Sequence, residues 1–353
     1  MVWESRKFGE EHRKHTVSTD KRFLVIGSGS AGRRHALSLR QLFPSAEITV
    51  VKRSSSQQPL EILQSSGIVI VDSLKRGALN APDFVVIASP ATFHLDDLSY
   101  LSNHCSRFLL EKPIAATSHD ARKLHALATD TNLHVVVGHH LRFSDTPLAL
   151  KHAMNSIRDE SPVGLTLAYG QHLRHWRPGV NQENTVTALK NLGGGVLREL
   201  SHEIDAVSFL GSPPNVVRSA LLSYDGAPTD GNVETSADFL VASDGFTTRI
   251  HLDMITEVPY RRWDVIYPTF TLQADLLNGT VTKLLANGPR EQLFVAKTGE
   301  RDRAATSLLE YSIRGTPVSP VSACDIAQGV RILNTIEAVE QSAKSGEPTD
   351  IAE

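Results

Sequence analysis

The stretch Arg22-Phe-Leu-Val-Ile-Gly-Ser-Gly-Ser-Ala-Gly-Arg-Arg-His35 constrains the fold of this chain more than any other. Phe23 to Ile26 are bulky and apolar, as a buried parallel strand requires. Gly27, Ser28, Gly29, Ser30, Ala31 and Gly32 then spell G-x-G-x-x-G, and Arg33 to Leu42 continues with helical apolar spacing. Strand, glycine turn and helix in that order form the context of a dinucleotide-binding loop. Gly27 allows the tight turn, Gly29 lets backbone amides approach a pyrophosphate, and Gly32 lets helix and strand pack closely. The helix N-terminus adds amide donors and partial positive charge.

The chain after residue 21 alternates strand and helix. Strands are predicted over Ala46–Lys52, Ile68–Val71, Asp83–Ala88, Arg107–Leu110 and His134–Val137. Helices are predicted over Leu60–Ser66, Leu95–Leu101 and Ser118–Thr131, with Ser118 as N-cap. This alternation predicts a doubly wound parallel sheet with right-handed crossovers over residues 21–142. A second domain is expected over residues 143–353. It begins with a helix over Thr146–Arg158 and continues through strands at Leu165–Tyr169, Val216–Tyr224, Glu234–Val241, Thr247–Met254, Trp263–Ala274 and Val281–Ala286. A helix over Ala323–Ser342 is expected to pack back on the fold.

Composition narrows the function. Of 353 residues, 41% are hydrophobic and 21% charged, and the net charge is -3, so no general electrostatic attraction to nucleic acid or an anionic membrane is expected. No apolar run is long enough for a membrane span. Cys105 and Cys324 alone give no disulfide framework. Residues 1–20 are polar, lack the apolar core of a signal peptide and read as a flexible arm. A cytoplasmic protein is the expectation.

Ligands of such sheets lie beyond the carboxyl ends of the strands. That draws attention to Ser89, Pro90 and His94, to Glu111-Lys112-Pro113, and to Gly138 through Arg142, with His139 and Arg142 as substrate contacts. About 20 residues past the glycine loop an NAD site carries a carboxylate for the ribose hydroxyls. Here Lys52 and Arg53 occupy that place, followed by three serines. Cations there attract a 2′-phosphate, so NADP is the expected cofactor, with NAD as the alternative.

Three motifs in order carry a resemblance: the glycine loop, Glu111-Lys112-Pro113, and Gly193-Gly-Gly-Val-Leu-Arg-Glu-Leu-Ser-His-Glu-Ile-Asp205. From about Lys21 onward the chain resembles the Gfo/Idh/MocA oxidoreductases, named for glucose–fructose oxidoreductase, inositol dehydrogenase and a rhizopine-catabolism protein. The resemblance implies a Rossmann domain followed by an α/β domain with a large, open, mainly antiparallel sheet whose faces form homodimers or homotetramers. It implies hydride transfer between a nicotinamide and a secondary alcohol or ketone of a sugar, amino sugar, nucleotide sugar or cyclitol. Lys112 matches the family lysine that contacts substrate oxygen, and Pro113 follows a peptide that is often cis. Glu111 either orients that lysine or contacts the cofactor. Two other readings come with the family: a nicotinamide-retaining glycosidase or lyase, and a cofactor-binding sensor without catalysis.

In the second half, Gly170 to Gly179 resembles a substrate and cofactor loop of one family branch. Trp176 and Arg177 are its candidates for nicotinamide packing and for binding an anionic or hydroxyl-rich group. A helix over Val196–Leu210 would place Glu199 and His202 on one face. Many family members have Asp and His four apart here, whereas Glu199 and His202 are three apart. His202 is the expected proton carrier, Glu199 its partner or a substrate contact, and Asp205 a residue that holds structure or the domain interface. Fifteen histidines invite a metal reading, but no compact zinc signature is present, and no metal is expected. Arg261-Arg262-Trp263 reads as a snorkelling pair or an interface.

Overall fold

A computed structural model describes residues 21–52, 60–176, 182–227, 229, 232–243, 245–315 and 323–352. The N-terminal arm, Arg53 and Arg177 lie outside the described residues.

The first domain runs β1 (Arg22–Ile26), α1 (Ser30–Leu42), β2 (Glu47–Val51), α2 (Glu61–Ser65), β3 (Val69–Val71), α3 (Leu74–Ala78), β4 (Phe84–Ile87), α4 (His94–Leu101), β5 (Arg107–Leu110), α5 (Ser118–Asp130) and β6 (His134–Val137). Every strand pairing is parallel, in the order β3-β2-β1-β4-β5-β6. This is the doubly wound order whose switch point, between β1 and β4, opens beside the glycine loop. The strands are apolar along their buried lengths, with polar residues such as Arg22, Glu47, Arg107 and His134 at their starts, because helices cover both faces. Phe84 to Ile87 are all buried. The N-cap of α5 is Thr117, which accepts from the Asp120 amide. Ser118, the expected cap, instead donates to Glu337.

After β6 the chain forms α6 (Asp145–Ser156), β7 (Gly164–Gly170), α7 (Val196–Glu199), α8 (Ser201–Leu210), β8 (Val216–Ser223), β9 (Ser236–Ser243), β10 (Phe246–Asp253), β11 (Tyr260–Ile266), β12 (Phe270–Asp275), β13 (Thr280–Leu285), β14 (Glu291–Val295), α9 (Glu300–Arg314), α10 (Ile326–Ser345) and β15 (Thr349–Asp350). Nine strands form one sheet in the order β14-β13-β12-β11-β7-β10-β9-β8-β15. Only the central β7–β10 pair is parallel. Alternate residues such as Thr248, Ile250 and Leu252 of β10 point inward, against α7 and α8, while on the same sheet α10 packs on β8 and α6 on β12 to β14. The other face carries none of these helices.

Two expectations change. The strand expected over Trp263–Ala274 is two strands, β11 and β12, joined by a turn at Pro268, whose missing N–H cannot serve a ladder. The reading assigned nothing between Ala286 and Ala323, where the structure forms β14 and α9. The apolar stripe of α9, Ala304, Leu308 and Leu309, shares one core with Phe23, Val25, Leu109 and α1. The opposite face of the six-stranded sheet shares its core with the second domain through α8 and α10. The C-terminal third therefore covers the first domain as well as its own sheet.

Candidate active site

The glycine loop takes the form its spacing implied. Gly27 has φ +100°, and a Cβ there would lie 2.5 Å from the Ala88 carbonyl oxygen. Gly29 is the N-cap of α1, which has no side-chain cap and no acidic residue in its first turn. A Cβ on Gly29 would meet nothing within 4 Å, so open space lies in front of this helix end. Ser28 is buried with no hydrogen-bond partner for its hydroxyl. These features fit a dinucleotide pyrophosphate. Lys52 directly follows β2, and its amide donates to the Val71 carbonyl.

From β5 the chain leads directly into Glu111 and Lys112, and the Lys112–Pro113 peptide is cis. Lys112 Nζ donates to the Glu199 carbonyl oxygen at 2.7 Å and to Glu199 Oε2 at 3.3 Å. Thr187 Oγ1 donates to the other carboxylate oxygen at 2.7 Å. Residues 196–210 are two helices and not one, with Leu200 at φ -99°, ψ 25° between them. The Glu203 amide consequently donates to the Leu200 carbonyl. In a continuous helix it would donate to the Glu199 carbonyl, the oxygen that Lys112 takes. Glu199 therefore turns to Lys112, and His202 turns elsewhere.

Glu111 is buried. Its carboxylate accepts from His35 Nε2 at 2.6 Å and, through Oε2, from the Lys112 amide at 3.2 Å. Burial raises its proton affinity, but the His35 hydrogen bond and the charges of His35, Arg34 and Lys112 outweigh it and hold it well below the carboxylate range. Glu111 thus ties the lysine's backbone to α1. Ser89 and His94 are also turned to structure. Ser89 Oγ donates to Asp97 at 2.6 Å, and the His94 ring bridges the carbonyls of Ser89 and Ile114. Pro90 opens the short turn at Ala91–Phe93.

His202 is buried, with Nδ1 3.2 Å from Nδ1 of His139. The half-buried His140 packs edge-on against it at 4.6 Å between ring centroids. Burial, then His140, His139, Lys112 and Arg261, push His202 well below the ordinary histidine value, so it is neutral at pH 7. Arg142 corrects an expectation. It is 2% exposed, and its guanidinium grips the Asp205 carboxylate at 2.6 to 3.2 Å. That pair joins the two domains, as a structural Asp205 implied. Removing one partner leaves a buried charge uncompensated, at a cost of about 3–5 kcal/mol.

Trp176 packs against the core, and its indole N–H donates to Gln171. Arg261 is not a snorkelling residue: it forms two hydrogen bonds to the fully buried Glu203 and lies 4.5 Å over the Tyr169 ring.

Residues 21–139 match the profile GFO_IDH_MocA, described as "Oxidoreductase family, NAD-binding Rossmann fold". Over this first domain the chain is similar to the Gfo/Idh/MocA oxidoreductases. It is 24% identical over 213 residues to levoglucosan dehydrogenase from Pseudarthrobacter phenanthrenivorans, a match covering 57% of this chain and 53% of that one. The chain thus spans about half the length of this curated relative. Its fold is that of GenD2 from gentamicin A biosynthesis in complex with NAD, with TM-score 0.79, 19% identity, and coverage of 96% and 98% of the two chains. It is also that of a levoglucosan dehydrogenase in complex with NADH and levoglucosan, with TM-score 0.76, 17% identity, and coverage of 94% and 99%.

The sequence pointed to His140 within Gly138 through Arg142 but did not single out Thr187 or His35 as members of the site. His35 had a usable signal, three residues past Gly32 on the inner face of α1. Thr187 had none, since only folding brings its turn to Glu199. Among the described residues no helix is long and apolar enough to cross a membrane.

Proposed function

We propose that this protein is an NAD(P)-dependent dehydrogenase or reductase acting on a secondary alcohol or ketone of a sugar, amino sugar, nucleotide sugar or cyclitol. The observation that carries this reading is the Lys112–Glu199 contact, which holds an ammonium between a nucleotide loop and the second sheet's helices. Gly27 to Gly32 and the bare start of α1 would hold the pyrophosphate, and Lys52 favours a 2′-phosphate and hence NADP. The bound nicotinamide supplies hydride exchange. Lys112 polarises the substrate oxygen and stabilises its developing negative charge. Glu199, fixed by Thr187, aims the ammonium. His202, neutral at pH 7, exchanges the proton. The relatives' sugar substrates support the substrate class. The open face of the nine-stranded sheet supports a homodimer or homotetramer, which light scattering at micromolar protein tests.

The deciding experiment is a panel of polyols, sugars and nucleotide sugars incubated with each oxidised dinucleotide. Net formation of reduced nicotinamide is the expected result. Bond cleavage without net cofactor consumption would replace this reading with the nicotinamide-retaining one. Tight cofactor binding without turnover of any member would replace it with a sensor.

A further inference from the structure

His139 lies behind His202 and not in a position to meet substrate first. It is 2% exposed, and its ring stands at 89° to that of His202. The two Nδ1 atoms are 3.2 Å apart. A neutral imidazole has one N–H and one lone pair, so this contact requires a single proton between the two nitrogens. Asp205 Oδ2 lies 3.7 Å from the same His139 nitrogen, and Arg142 fixes that carboxylate. Because His202 spends Nδ1 on His139, Nε2 is its remaining atom for a substrate.

We propose that His139, His202 and Asp205 form a proton relay, in which His202 meets the substrate and His139 takes up the proton. The inference rests on the dehydrogenase reading above. In the oxidising direction the substrate O–H bond breaks as the His202 Nε2–H bond forms. The His202 Nδ1–H bond breaks as the His139 Nδ1–H bond forms. A bound oxidised nicotinamide would take up the hydride from the carbon that bears this oxygen, which balances the two electrons. The resulting His139 imidazolium faces Asp205, and reduction runs the same steps backward. His139 does not touch the reacting atoms; it acts through His202.

The charges around the two rings favour this direction. At His139 burial lowers the pKa to about 4; Asp205 is the largest opposing influence, Glu111 also raises it, and Arg142 and Lys112 lower it. At His202 burial, His140, His139, Lys112 and Arg261 all lower the proton affinity. The Asp205 carboxylate, 3.7 Å from His139 Nδ1, gives a proton arriving on the pair a counter-charge at His139.

Histidine ¹⁵N NMR of the wild-type protein with its cofactor tests the pair without any substrate. One Nδ1 protonated and one bare, correlated across the contact, is the expected pattern. Two bare Nδ1 atoms, or a stoichiometric zinc seated between His139, Asp205 and Cys324, whose ligand atoms lie within 4.8 Å of one another, would overturn the relay. The kinetic arm uses His139→Asn, which keeps a hydrogen-bonding atom near Nδ1 but cannot carry the proton on, and His139→Phe as a second variant. Cofactor affinity and KM should stay within about threefold of wild type. Both variants should lose at least about tenfold in kcat, with a changed pH profile and solvent isotope effect. A His139→Asn variant with wild-type kcat and pH profile would reduce His139 to positioning alone and overturn the relay. If the wild type oxidises no member of the panel, the dehydrogenase reading fails, and the NMR result still decides whether the shared proton exists.

Discussion

Lys112 Nζ and the backbone carbonyl of Glu199 are 2.7 Å apart across 87 positions of sequence. The contact exists because α7 stops at Glu199 and the Glu203 amide bonds one residue later, at Leu200. A helix break in one domain thus orients the side chain at the end of a strand in the other.

Lys112→Ala should lower kcat by at least about 10²-fold, because both the charge on the substrate oxygen and its orientation are lost. Glu199→Gln should cost less, since the carbonyl contact to Lys112 survives the change. Cofactor affinity, measured by fluorescence titration, should be nearly unchanged in both. A Lys112→Ala enzyme with wild-type kcat would remove Lys112 from the mechanism.

The glycines separate folding from binding. Gly29→Ala should fold normally, since its φ of -70° suits alanine and its Cβ meets nothing within 4 Å. The methyl would stand where the pyrophosphate is proposed to sit, so nucleotide affinity should fall by tenfold or more while Tm in the absence of nucleotide holds. Gly32→Ala places a Cβ 1.9 Å from the Gly27 carbonyl oxygen and should lower Tm itself. Unchanged nucleotide affinity in Gly29→Ala would move the pyrophosphate away from this loop.

Lys52→Asp should weaken NADP(H) binding more than NAD(H) binding, because it sets a carboxylate beside the 2′-phosphate. Fluorescence titrations with both cofactors measure the two affinities. Equal or tighter binding of NAD(H) by the wild type would refute the NADP preference before any mutant is made.

His251 carries a pH dependence of stability. Its Nδ1 lies 2.7 Å from Asp238 and its Nε2 3.0 Å from Asp253, so it must donate from both nitrogens and is an imidazolium. The Asp253 hydrogen bond, opposed by burial and helped by Asp238, raises it to about 9. A raised histidine stabilises the fold fully below its unfolded value of about 6.5 and loses that contribution as pH climbs through about 9. His251→Gln should therefore be clearly less stable than wild type in urea at pH 6 and nearly equal to it above pH 9.5. The same difference at both pH values would show that the ring acts by packing alone.

Much of the first domain was legible because its signals are local. Arg107–Leu110 and His134–Val137 fall where apolar runs placed them, since the stretch of a strand buried on both faces, Phe108 to Leu110 and Val135 to Val137 here, must be apolar. The glycine loop was legible because backbone sterics permit few residues there. The second domain was less so. Pro268 marked the β11–β12 turn, and the 3.6-residue spacing of Ala304, Leu308 and Leu309 marked α9, but both signals are weak beside long apolar strands.

By itself the sequence determined a dinucleotide loop on a parallel sheet, a lysine at the end of the fifth strand and a Glu199–His202 pair after a run of three glycines. Those features depend on neighbours along the chain: turn sterics, apolar periodicity and short motifs. Tertiary structure decided what each polar side chain faces. It sent Arg142 to Asp205, Arg261 to Glu203 and Ser89 to Asp97. It split the 196–210 helix so that Glu199 reached Lys112 while His202 reached His139. A buried charge or ring nitrogen must find a partner wherever the packed chain offers one, and linear spacing carries no record of which strand end or helix end that will be.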